Sequence, residues 1–152
     1  MQQQKYVNEN IIIENARLMF KNFSGEETQF NRAGDRNFCA VIEDADKAAQ
    51  LLADGWNIKQ LPVREEGDEP TFIINVSVAF DKKPPRIFMV SGSKKTEITE
   101  ETVGCLDYAE IKHVDLVINP YNWNVRGQSG VKAYLHTLYV TIEEDPFAYK
   151  YE

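Results

Sequence analysis

Apolar residues in this chain come in short runs, each cut off by glycine, proline or charge before it grows long. That pattern constrains the fold more than any other feature, because short runs with turns between them build sheets. The clearest run is Thr71 to Phe80. Phe72, Ile74, Val76 and Val78 fall on one face of an extended chain, and Ile73, Asn75, Ser77 and Ala79 on the other. Further strands are predicted over Ile11–Phe20, Asn37–Ile42, Trp56–Val63, Arg86–Val90, His113–Ile118 and Val131–Ile142. Arg86–Val90 is expected to return as the hairpin partner of Thr71–Phe80. Val131–Ile142 alternates with one slip near His136, as a β-bulge would produce. Asn119–Gly130, with Pro120, Gly127 and Gly130, reads as a connecting loop.

Helical spacing occurs once clearly, at Ala45, Ala48, Ala49, Leu51 and Leu52, with Asp44 as N-cap and Gly55 as stop. A second short helix is predicted over Thr99–Leu106. Sequential strands joined by turns favour an antiparallel barrel or sandwich.

The 152 residues suit one domain. Residues 1–10 read as a polar arm, 11–142 as the folded domain and 143–152 as an acidic C-terminal tail. Cys39 and Cys105 sit among apolar neighbours and are expected to be buried free thiols. No apolar stretch approaches the ~18 residues of a membrane span, so a soluble intracellular protein is expected.

Catalytic patterns are missing. His113 and His136 lack metal-ligand spacing with the cysteines, and no nucleophile elbow, Walker loop or dinucleotide fingerprint appears. No enzyme, metal or cofactor is expected.

Charge is more informative. The chain carries −7 overall, yet Lys82, Lys83, Arg86, Lys94 and Lys95 face only Asp81 across residues 81–95, a local charge of +4. Such a stretch suits phosphates; its plain structural alternative is a hairpin whose lysines prevent edge pairing. A second constellation holds Tyr121 and Trp123, two apart and thus on one face if extended, followed by Arg126. Rings beside cations serve single-strand binding, because every base has a face to stack. A third brings Arg32 and Arg36 around a turn, with Lys21 and Phe23 before it. Trp56 with Lys59, and Lys132, complete the candidates. For the aromatics, the alternative is burial in the core.

Three segments then carry a resemblance: Asn31-Arg32-Ala33-Gly34-Asp35-Arg36-Asn37-Phe38-Cys39; Asp115-Leu116-Val117-Ile118-Asn119-Pro120-Tyr121-Asn122-Trp123; and Gly130-Val131-Lys132-Ala133-Tyr134-Leu135 leading into Tyr139-Val140-Thr141-Ile142-Glu143-Glu144-Asp145. From about Ile11 to Asp145 the chain resembles the single-stranded DNA-binding proteins of tailed bacteriophages. The resemblance implies a mainly β, OB-fold-like antiparallel barrel with one or two short helices. It implies a groove of aromatics and cations, single-stranded DNA as partner, and a role in phage replication or recombination. It also implies replication or recombination proteins as partners through the acidic tail, and work in the cytoplasm of the infected bacterial host. Oligomer formation stays open. The competing readings are a phage structural or protein-interaction β-domain, marked by an exposed apolar patch, RNA binding on the same scaffold, and an enzyme with a carboxylate pocket.

Overall fold

The two longest strands organise the molecule. In the computed structural model, which describes residues 9–81 and 83–142, β8 (Ile111–Val125) and β9 (Gln128–Ile142) pair antiparallel along their whole length. Arg126 and Gly127 turn the hairpin, with φ of 52° and 80°. Two successive positive φ values make the tight turn whose twist matches the strands it joins. The loop predicted over Asn119–Gly130 is therefore strand on both sides of a two-residue turn. Pro120 suggested a break, but it sits opposite Ala133 within the ladder, and the alternation of Tyr121, Trp123 and Val125 continues the pleat past it.

The other edge of β9 takes two strands in succession. β5 (Thr71–Val78) joins it in parallel at Val76 and Ser77, and β6 (Arg86–Ser91) in parallel from Thr137 to Thr141. The expected hairpin between Thr71–Phe80 and Arg86–Val90 does not form; β6 instead pairs antiparallel with β7 (Lys94–Ile98). The basic segment around Lys94 and Lys95 is thus the start of a strand, not only a turn. β3 (Arg36–Ile42) and β4 (Ile58–Leu61) flank β5, and β2 (Leu18–Asn22) pairs with β3.

β1 (Ile11–Ile13) covers the far edge of β8. The single strand expected over Ile11–Phe20 is split by a corner. There the Asn15 N–H donates to Asp115 Oδ1 (2.9 Å) and the Ala16 N–H to the Val114 carbonyl (2.7 Å), which sends β1 and β2 to opposite ends of the sheet. The described ladder runs β1-β8-β9-β5-β3-β2 without closing, so the mainly β architecture holds while the barrel stays open and partly parallel.

α1 (Ala45–Ala53) starts where Asp44 accepts from the Asp46 N–H (2.9 Å), and buries Ala48 and Leu51. The Gly55 carbonyl then accepts from the Val131 N–H (2.9 Å), tying the helix exit to β9. A 3-10 turn at Val103–Asp107 replaces the second helix expected over Thr99–Leu106. Cys39 is buried as expected, whereas Cys105 on that turn is exposed.

The core joins Phe23, Phe38, Ile74, Val76, Ile87, Leu106, Leu116, Ile118 and Leu138. Phe23 and Phe38 stack at 5.0 Å. Each such side chain contributes roughly 1.5–3 kcal/mol by leaving water.

Candidate nucleic-acid interface

Strand alternation sends one set of side chains into the core and the other to the opposite, outer face. Register fixes which outer residues are neighbours. Asn22, Asn37, Ser77, Tyr134 and Asn119 form a row across β2, β3, β5, β9 and β8. In the next row Cys39 lies opposite Asn75 and Lys132 opposite Tyr121. Beyond that, Trp123 lies opposite Gly130.

The first aromatic cluster grows from these rows. Trp123 is 36% exposed, and a Cβ on Gly130 would stand 2.9 Å from its indole. The missing side chain at 130 is what lets the ring lie across β9. Tyr121 meets Tyr134 edge to face at 6.0 Å, and the Lys132 ammonium lies 5.0 Å from the Tyr134 ring centre. Two adjoining cavities of about 560 and 500 Å³ share Asn75, Ser77 and Lys132; the first is walled by Trp123, the second by Arg36 and Tyr134. Burial pushes the Cys39 thiol up from its ordinary range, and nearby Lys59 partly offsets this.

The second cluster lies further along β9. Phe88 and Tyr139 stack at 5.1 Å with 19° between their planes. The Lys95 ammonium is 4.5 Å from the Phe88 ring centre and 5.2 Å from that of Tyr139, and the Arg86 guanidinium is 5.1 Å from Phe88. Arg86 Nε also donates to Glu97 Oε2 (2.8 Å).

Tyr134 and Tyr139 are five residues apart, roughly 17 Å of strand. An odd spacing should point them to opposite faces. They share a face because Val117 lies opposite Thr137 and Ile118 opposite Leu135, which leaves His136 as an inserted residue. Leu135, Leu138 and Val140 stay buried on either side of it. The slip read near His136 is this bulge.

The sequence candidates divide accordingly. Tyr121, Trp123 and Lys132 meet in the first cluster, with Arg36 at its margin. Arg36 is half-buried, donates from Nη1 to the Ser24 carbonyl (3.3 Å), and has Nη2 3.9 Å from Glu100. Arg86 and Lys95 meet in the second. Lys59, opposite Ile73, is exposed at the β4 margin of the same face, and Arg126 is exposed at the hairpin turn. Arg32 and Lys83 are exposed on turns outside both clusters. The Lys82 side chain and the tail at 143–152 lie outside the described residues.

Four candidates are corrected. Phe23 is 0% exposed and stacked on Phe38, so no base reaches it. Trp56 is 2% exposed and presents no free face. Lys21 turns inward, with Nζ donating to the Leu106 carbonyl (2.9 Å). Lys94 lies opposite Ser91, on the side of the hairpin that carries Ile98, away from Lys95. Sequence reasoning missed Phe88, Tyr134 and Tyr139 as ring donors, and Asn37, Asn75 and Ser77 as the polar floor. Only the polar alternation of Asn75 and Ser77 within β5, and the His136 slip, carried a signal for them.

A mainly β domain whose outer sheet face sets accessible rings beside cations is a single-strand nucleic-acid-binding module in form. The chain belongs to the phage ssDNA-binding domain family, whose model matches residues 1–152. Among solved structures it is similar to the single-stranded DNA-binding protein of bacteriophage Enc34 in complex with ssDNA, with a TM-score of 0.57 at 13% identity over 91% of this chain and 89% of that one. A second structure of the Enc34 protein gives 0.55 at 14% identity, over 91% and 84%. At such identity the likeness concerns the fold, and it agrees with an OB-like arrangement. No curated protein matches the sequence significantly.

Proposed function

We propose that the protein coats single-stranded DNA without sequence preference, stacking bases on Trp123, Tyr121 and Tyr134 and neutralising phosphates with Lys132, Lys95, Arg86, Arg36 and Lys59. The observation that carries this reading is the placement of both aromatic and cationic clusters on one sheet face. The Enc34 neighbour, solved with ssDNA, supports the choice of ligand. Asn37, Asn75 and Ser77 offer hydrogen bonds to base edges between the rings. Binding then makes and breaks no covalent bond; it exchanges counterions and stacks bases. Such a protein serves replication or recombination of phage DNA in the infected bacterial cytoplasm. The acidic segment 143–152 is proposed as the contact for replication or recombination proteins.

Tryptophan fluorescence tests the reading. Trp56 is buried, so quenching reports Trp123. Oligo-dT quenches it and duplex of equal length does not. With five cations engaged, the slope of log affinity against log salt approaches about −3.5, from about −0.7 per phosphate on a single strand. No quenching and no binding by oligo-dT at low salt would overturn the proposal.

A further inference from the structure

One exposed aromatic patch adjoins the outer face at Asn22 and Asn37, but its rings belong to neither cluster above. Phe20, Phe30 and Tyr108 are 62%, 90% and 79% exposed around a cavity of about 520 Å³ that Glu26 and Asp107 also line. Rings this exposed are unusual for an isolated domain and mark contact surfaces. Phe20 is also held at a φ of 53°, in the left-handed region that an aromatic side chain avoids, and such strain concentrates at functional positions.

Charge favours a cationic occupant over DNA. The segments 24–35 and 99–110, which carry Phe30 and Tyr108, hold Glu26, Glu27, Asp35, Glu100, Glu101, Asp107 and Glu110 against Arg32 alone. Lys21 also lines the cavity, but its Nζ is held by the Leu106 carbonyl (2.9 Å). A phosphate backbone would be repelled here, whereas a cationic protein segment would be drawn in.

The chain itself carries that complement. The β6–β7 tip holds Lys94 and Lys95 beside Gly92, and among the described residues β7 pairs with β6 alone, so the tip stands at an edge of the sheet. Lys95 serves the binding face, but Lys94 points to the other side and has no role there. Lys83 is exposed on the turn that enters the same hairpin.

We propose that the acidic aromatic patch of one copy receives the Lys94 tip of the next copy on the same DNA strand. The two surfaces differ, so the contact is head-to-tail and leaves a free patch and a free tip at the ends of any row. The strand supplies high effective concentration for neighbours, so a contact too weak for free association still acts there. This inference rests on the single-strand-binding reading.

The test uses the full chain with one oligo-dT that holds a single copy and one that holds two. The parent fills the long oligonucleotide cooperatively, the second copy binding on the order of tenfold more tightly than the first. Phe30→Ala with Tyr108→Ala removes the patch, and Lys94→Glu removes the tip. Each variant keeps its melting temperature and binds the short oligonucleotide within about threefold of the parent, and each loses the cooperativity. An equal mixture of the two variants restores paired occupancy, because each retains the surface the other lacks. Non-cooperative filling by the parent, or a mixture that restores nothing, overturns the contact. Loss of short-oligonucleotide binding by the patch variant also overturns it, making the patch a DNA subsite. Failure of the parent on the short oligonucleotide would sink the DNA reading itself, and the contact with it.

Discussion

The two aromatic clusters on the outer face are built from similar residues and are poised differently. Around Trp123 the rings are separate. Tyr121 and Tyr134 meet only edge to face, one ammonium stands nearby, and the surroundings are neutral Asn and Ser. Around Phe88 the rings already stack on each other, two cations lie over them, and Glu97 holds one of those cations. The first cluster therefore leaves ring faces open, and the second carries charge that its own rings hold in place. On the proposed reading, stacking energy and counterion release reside at different ends of the site.

That division has consequences of descending size. Trp123→Ala removes an open stacking face worth roughly 1–3 kcal/mol, so affinity for oligo-dT falls on the order of ten- to a hundredfold while the salt slope stays the same. Isothermal titration at two salt concentrations reads both quantities; a changed slope would break the contrast. Gly130→Ala leaves Trp123 in the sequence but drives a methyl group into its indole, and affinity falls about tenfold with little loss of thermal stability. Lys95→Ala acts oppositely. Affinity drops several-fold at low salt, converges with the parent at high salt, and the slope of log affinity against log salt shrinks by about 0.7. The smallest effect is expected from Glu97→Gln. It frees Arg86 from an exposed ion pair worth at most about 1 kcal/mol, and low-salt affinity rises roughly twofold.

Local features were legible in the sequence because their causes are local. Asp44 and Gly55 bound the helix where cap chemistry places them, and β5 follows its own alternation. Pairing was not legible. The parallel registers of β5 and β6 with β9 join residues more than fifty positions apart, and nothing in Arg86–Val90 says which neighbour it takes. The site suffered for the same reason. Alternation grouped Tyr121 with Trp123, but which face would become core depended on distant strands, so Phe23 and Trp56 stayed among the candidates. Lys21 looked like a free cation because the carbonyl it holds lies 85 residues away.

The inserted His136 keeps two surfaces in phase at once. Deleting one residue between Leu135 and Thr137 would force a choice: hold Tyr139 beside Lys95 and turn Ala133 and Leu135 out of the core, or hold Tyr134 outward and carry Leu138 and Val140 into water. No local adjustment recovers both, since β9 is clamped by β8 along one edge and by β5 and β6 along the other. Length variation in this protein should therefore be tolerated at the exposed loop around Glu66, and lethal to folding in the middle of its longest hairpin.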